Sequence, residues 1–278
     1  MRSREDAWWT SATAAWCKHD EPLSTGFVPV SERMLDLAEV QPRWDVLDLA
    51  CGTGESALAA AKRVGPSGDV EGGDLVGEMI AFAEAKAESR GGVYGISFQQ
   101  YDIELRQPEH LRVGAVTMRW SLMHLAAPVA ALEVAWSSLQ SRGRIALSVG
   151  GPRDLDPWAA IPLSCIRKRF KFRRPSQWQP GLFAFSDPES LRRVMNKAGF
   201  HGVTVEPFEF VWRGPLSSAD FLHQAVALHR EVAAAYAHRS DAEKLAVADD
   251  VAREGERQSI SSTSVVLPGT TWIASAGV

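Results

Sequence analysis

Val46-Leu-Asp-Leu-Ala-Cys-Gly-Thr-Gly-Glu55 runs from apolar residues directly into a glycine turn, with one acid, Asp48, inside the apolar stretch. Such a run reads as a buried strand that ends in a tight turn and opens a helix. Glycine suits the turn because a side chain would hold a ligand away from the backbone, and the helix behind it offers free N–H groups. Gly52-x-Gly54-x-x-Ala57 satisfies the loose dinucleotide pattern, and Asp74 lies at about the distance expected of an acid that takes ribose hydroxyls. The pattern alone leaves open a phosphate ligand, a cationic adenosyl ligand, or a turn that holds nothing.

The surrounding chain repeats the strand and helix alternation. Residues 45–50, 69–74, 96–101, 113–120 and 144–149 predict strands. Residues 55–64, rich in good helix formers and stopped by Gly65-Pro66, predict a helix, as do residues 78–88 before Gly91-Gly92. This order predicts an α/β, Rossmann-like fold: a mostly parallel sheet with helices on both faces and ligands beyond the carboxyl ends of the strands. Later segments predict a helix at 191–200 closed by Gly199, a strand at 203–212, alanine-rich helices at 218–238 and 241–256, and a last strand at 270–275.

Composition narrows the function classes. The 278 residues can bury one large core, and 45% hydrophobic with 23% charged residues is ordinary for a globular chain. A formal charge of -4 gives no general pull toward nucleic acid or an anionic membrane. No apolar run approaches the roughly 18 residues of a spanning helix, and Met1-Arg-Ser-Arg-Glu-Asp-Ala-Trp-Trp has no signal-peptide core, so a cytoplasmic chain is expected. Cys17, Cys51 and Cys165 show neither disulfide nor zinc spacing, and no metal is expected.

Acids at the strand ends separate the ligand readings. Asp48 lies within the first strand, Asp74 ends the second and Asp102 follows the third. A pyrophosphate gains nothing from several carboxylates, whereas a cationic ligand with a ribose and an adenine does. Asp74 suits two ribose hydroxyls, Asp102 an adenine amino group, and Asp48 the loop or the ligand's ammonium. Each acid singly reads more readily as a helix cap or a solvated strand end, and it is their joint placement that favours a ligand.

With these residues in place the sequence resembles the class I S-adenosylmethionine-dependent methyltransferases, specifically the small-molecule group similar to the ubiquinone and menaquinone biosynthetic enzymes. Asp48-Leu-Ala-Cys-Gly-Thr-Gly54 resembles the family's glycine motif, Gly73-Asp74-Leu75 its ribose acid and Tyr101-Asp102-Ile-Glu104 its adenine-side acid. Arg119-Trp120-Ser-Leu-Met-His124 resembles the fourth-strand motif, Leu139-Gln-Ser-Arg-Gly-Arg-Ile145 the approach to the fifth strand, and Val266-Leu-Pro-Gly-Thr-Thr-Trp-Ile-Ala-Ser-Ala276 the final strand. Ala50 stands where many members carry a glycine, and Ser141-Arg142 replaces the usual proline-glycine turn. The resemblance implies a seven-stranded sheet with an antiparallel last strand and S-adenosyl-L-methionine as cofactor, leaving as S-adenosyl-L-homocysteine. Its contacts would be Asp48, Ala50, Gly52, Gly54, Asp74, Leu75, Met79, Asp102, Ile103, Arg119 and Trp120.

The expected organisation is an N-terminal helical segment over the active site (1–40), a cofactor-binding core (41–151), an inserted cap (152–182), and the remainder of the core (183–278) with a helical insertion at 217–258. The expected partner is a small-molecule acceptor, acidic or aromatic, with oxygen favoured over carbon or nitrogen as the accepting atom and no nucleic acid; a homo-oligomer stays open. His124, just beyond the fourth strand, is the first candidate base and His19 a weaker second, though a packed histidine at a helix start is the better reading of His124 from sequence. His223, His229 and His238 read as surface or partly buried side chains. Among ten tryptophans, Trp16, Trp158 and Trp178 are candidates to hold a flat substrate, or simply glue the cap to the core. The run Arg167-Lys-Arg-Phe-Lys-Phe-Arg-Arg174 reads first as a solvated face, then as an attractor of an anionic small molecule, and least as an RNA contact. Two other readings stay open: an NAD-dependent oxidoreductase, and an S-adenosylmethionine-binding protein that performs a non-methylating reaction such as cyclisation.

Overall fold

Short, mostly apolar runs bounded by turn signals suit strands covered on both faces, which mark the middle of the sheet. Strands β1 (Val46–Leu49) and β4 (Val113–Arg119) are of this kind, buried throughout except at Arg119. The computed structural model, which describes residues 2–92, 95–105, 112–152, 155–170, 179–214, 218–257 and 265–278, pairs these two strands in parallel. Around them lie β2 (Val70–Asp74), β3 (Ile96–Gln100), β5 (Leu139–Gly150), β6 (His201–Gly214) and β7 (Val265–Gly277). The order is β3-β2-β1-β4-β5-β7-β6, with β7 antiparallel to both of its neighbours. This is the expected seven-stranded sheet. The strand order reverses between β1 and β4, which opens a crevice at their carboxyl ends.

Helices α1 (Arg2–Lys18), α2 (Asp20–Leu37), α3 (Glu55–Val64), α4 (Gly77–Ser89), α5 (Pro128–Ser138), α6 (Pro157–Arg169), α7 (Pro188–Lys197), α8 (Ser218–Leu228), α9 (Arg230–Tyr236) and α10 (Asp241–Arg257) cover the sheet. Helix α3 has the expected bounds because left-handed glycines punctuate it, Gly54 at φ 81° and Gly65 at φ 73°. Asp187 caps α7 by accepting from the Glu189 N–H, with Pro188 at the first helical position. Helix α2 lies so close to β6 that a Cβ on Gly26 would sit 2.1 Å from Trp212. Arg33 Nε donates to Glu206 on β6 at 2.8 Å. A buried pair, Lys86 of α4 with Asp20 at 2.8 Å, ties down the start of α2.

Three expectations need correction. The helix expected over 218–238 is two helices, because His229 turns to extended geometry (φ -119°, ψ 110°) and buries its ring. Strand β5 begins five residues early, carrying residues 139–143 as an irregular extension with Arg142 at φ 69°. Strand β7 runs from 265 to 277 because it pairs along its length with the long β6. Trp178 and residues 171–174 of the basic run lie outside the described residues. Among the described residues no helix is long and apolar enough to cross a membrane, and no cluster of His, Cys, Asp and Glu could hold a metal ion.

Candidate active site

The turn quoted first meets the end of β2 through Asp74. Its Oδ2 accepts from Gly52 N and its Oδ1 from Val76 N, both at 2.9 Å, so one buried carboxylate organises the loops after β1 and β2. Burial raises the Asp74 pKa, and the N–H groups of Val76, Gly52 and Leu75 pull it partly back. Gly52 adopts φ 56°, and a Cβ there would meet only Met79 Sδ at 3.9 Å, otherwise projecting into open space. Glycine is therefore what keeps the backbone accessible to a ligand at this point.

That space is a cavity lined by Ala50, Gly52, Asp74, Leu75, Met79, Asp102, Ile103, Arg119 and Trp120, with Asp6 and Glu104 at its acidic margin. Arg119 is the only Arg or Lys among the described lining residues, and its guanidinium is taken up by Glu55 and by Ser31 at 3.1 Å. With its cation neutralised and four carboxylates around it, the cavity suits a cationic ligand. Asp74 has further acceptor capacity for hydroxyl groups, and Leu75, Met79 and Ile103 form an apolar slot fit for a flat base. S-Adenosylmethionine, with its sulfonium, ribose and adenine, fits this donor and acceptor set.

Two further lining residues have positive φ, Trp120 at 50° and Ala50 at 54°. Non-glycine residues in this region carry strain that tends to concentrate at functional sites. Trp120 is held by its indole N–H donating to Thr271 Oγ1 at 2.8 Å and by an edge contact with Phe27, ring centroids 4.5 Å apart. The Arg119 guanidinium lies 5.5 Å from both ring centres.

A second cavity adjoins the first and shares Trp9, Trp16, Phe27, Trp120 and His124 with it. Its remaining walls include Met123, Trp158, Leu182, Phe210, His229 and Glu231. It is richer in aromatic residues than the first and carries fewer acids, Asp156 and Glu231, along with Arg230. His124, in a short 3-10 turn (Leu122–His124) after β4, stands on the shared wall with Trp9 edge-on at 5.0 Å. Burial lowers the His124 pKa and the Glu231 carboxylate partly restores it, leaving a neutral imidazole at neutral pH. Burial alone would raise the Glu231 pKa, but His124 and the Leu182 N–H, which donates at 3.0 Å, bring it below its ordinary value.

Of the residues singled out in the sequence, Ala50, Gly52, Asp74, Leu75, Met79, Asp102, Ile103 and Arg119 line the first cavity, Trp16, Trp120 and His124 line both, and Trp158 lines the second. Asp48 lines neither. It is fully buried beneath the turn and accepts from Ser56 Oγ at 2.6 Å and Thr117 Oγ1 at 2.7 Å, so it supports the loop from below. Gly54 is the N-cap of α3, and His19 lines neither cavity. Of the basic run, Arg169 pairs with Asp250 of α10 at 2.5 Å and Lys168 with Glu254 at 3.9 Å, which joins α6 to α10. His229 and Glu231 were missed, since Leu228-His-Arg-Glu231 carries no glycine or proline to mark the helix break. Phe27 was missed because only the packing of α2 places it.

Residues 41–161 match a family model described as a methyltransferase domain. An aklanonic acid methyltransferase from a Streptomyces species is 31% identical over 158 residues, covering 55% of this chain and 70% of that protein. A demethylmenaquinone methyltransferase of Thermus thermophilus is 31% identical over 184 residues, covering 60% of this chain and 79% of that protein. Similarity to the nocamycin O-methyltransferase of Saccharothrix syringae, 45% over 65 residues, spans only 23% of either chain.

Proposed function

Because the chain belongs to the S-adenosylmethionine-dependent methyltransferases, we propose that it transfers the methyl group to an oxygen of a small, flat acceptor held in the aromatic cavity. S-Adenosyl-L-methionine supplies a methyl carbon activated by its sulfonium sulfur and leaves as S-adenosyl-L-homocysteine. Asp74 would take the ribose hydroxyls, Asp102 the adenine amino group, and Gly52 would let the ligand approach the backbone, with Leu75, Met79 and Ile103 against the base. Ala50, Arg119 and Trp120 complete that enclosure, with Asp48 and Gly54 fixing the turn from behind.

The observation that carries this reading is the place of His124, on the wall common to the acidic and aromatic cavities. A neutral imidazole there can take the proton from an acceptor hydroxyl as the oxygen attacks, and the Glu231 carboxylate stabilises the imidazolium that results. Trp9 and Trp16, contributed by α1, cover both ligands and keep water from the reacting atoms. Oxygen is favoured because a protonated amine would meet a base already lowered in strength by burial. The relatives' names, one acting on an acid and one on a demethylated quinone, support an acidic or quinone-like acceptor.

The test is calorimetric titration with S-adenosylmethionine, S-adenosylhomocysteine and NADH in parallel, followed by mass analysis of products from quinone-like and acidic aromatic acceptors. Binding of the adenosyl ligands and products heavier by one CH2 group are expected. A product isomeric with its substrate would make the reaction a cyclisation, and NADH binding alone would remove the methyl-transfer reading.

A further inference from the structure

Three indole or imidazole nitrogens on residues that line the aromatic cavity are buried without a hydrogen-bond partner: Trp158 Nε1, His229 Nε2 and Trp16 Nε1. Buried polar groups are nearly always bonded, and leaving one unmade is costly, so their grouping around one cavity calls for a common partner. Trp158 and His229 are neighbours, ring centroids 4.7 Å apart and nearly perpendicular (80°). The His229 side chain is more than nine-tenths buried. Trp158 also stacks on Trp212, ring centroids 5.8 Å apart at 16°.

An indole N–H can only donate, so the partner must present an oxygen that accepts. We infer, resting on the reading proposed above, that the acceptor molecule carries a ring carbonyl, and that Trp158 and His229 bind its oxygen at the junction of α6 with the break between α8 and α9. Burial pushes the His229 pKa down to about 4, so near neutral pH its imidazole is uncharged and its Nε2–H tautomer donates beside Trp158. The aromatic walls take the rings of the same molecule, with Phe27, Phe210 and Met123 on the apolar side. In this arrangement the carboxyl ends of the strands hold the cofactor and the late helices choose the acceptor. From sequence His229 reads as a surface or partly buried side chain, whereas the structure buries it. The break in the helix at that residue brings it to the cavity.

The inference is tested with two tricyclic probes of one shape, 9-fluorenone and fluorene, which differ by a carbonyl. Their affinities are measured by equilibrium dialysis in the presence of S-adenosylhomocysteine, for the wild type and for His229→Leu, His229→Gln and Trp158→Phe. The wild type is expected to favour the ketone by about tenfold or more. His229→Leu and Trp158→Phe should each bring the two probes to within about twofold by weakening only the ketone, while His229→Gln, which keeps an N–H donor, retains the preference. Equal binding of the probes by the wild type, failure of both to bind, or a preference untouched in both His229→Leu and Trp158→Phe overturns the inference. Titration of the same samples with S-adenosylhomocysteine reports on the cofactor reading separately: intact binding beside lost carbonyl preference supports the inference, and no binding in the wild type removes both.

Discussion

Asp74→Asn asks the cofactor site for a number. The carboxylate accepts one backbone N–H on each oxygen, from Gly52 and Val76, both at 2.9 Å. The amide keeps one acceptor and turns an NH2 group toward the other N–H, so one charge-assisted bond of about 1.5–3 kcal/mol is lost. Relief of the burial that raises the Asp74 pKa offsets part of this. The net loss of stability should be about 1–2 kcal/mol, which leaves the chain folded. Binding suffers more, because ribose hydroxyls need acceptors and one of the two oxygens has gone. Loss of one such bond corresponds to roughly a 10- to 100-fold rise in the Kd for S-adenosylhomocysteine, and Asp74→Ala, which removes both, to roughly 100- to 10,000-fold. Isothermal calorimetry gives the affinities and urea denaturation gives the stability of each variant. Folded Asn and Ala variants that both bind within about threefold of the wild type would refute the placement of the ribose on Asp74.

Asp48 sets a pH dependence. Burial pushes its pKa from 3.8 up to about 6, so the folded state holds the proton more tightly than the unfolded chain. Stability from this group is complete below pH 4 and falls by about 3 kcal/mol as pH rises through 6; Asp48→Asn should flatten denaturation midpoints across that window, and an unchanged slope would speak against it. With an acceptor in hand, His124→Ala should lower kcat by roughly 100- to 10,000-fold while S-adenosylhomocysteine affinity stays within about twofold, and an unchanged kcat removes it as the base. Arg142 sits at φ 69°, where glycine carries no steric cost, so Arg142→Gly should raise stability by about 1 kcal/mol in urea denaturation. A loss would show that the Arg142 side chain contributes more than its backbone strain costs.

What could be read from the sequence was local in origin. The turn after β1, the acids at the strand ends and the bounds of α3 follow from residues adjacent in the chain, because glycines and strand-end carboxylates act within a few positions of one another. The same holds for the sheet, whose buried centre shows as mostly apolar runs at 46–49 and 113–118, interrupted by Asp48 and Thr117. The acceptor side was less legible because it is made by tertiary contact. Phe27 reaches Trp120 across about ninety residues, and His229 turns inward at a position where helix propensity alone would carry the chain straight on. Asp48 shows a different limit: its spacing matched that of a ligand acid, yet hydroxyls from α3 and β4 had already claimed it.

The insertion of β7 between β5 and β6 bears on how the molecule is made. Trp120, the wall between the cavities, is oriented by Thr271, 151 residues further along, and α2 is fixed to β6 through Arg33 and Glu206, 173 residues apart. Contacts so distant in sequence carry a large loop-closure entropy and form slowly. On the ribosome, strands β1 to β5 can assemble while the rest is synthesised, but the sheet stays open at β5 until residues 265–277 emerge. The N-terminal helices, though made first, reach their final seat only after the last strand has arrived, so the site is among the last parts of the chain to be completed.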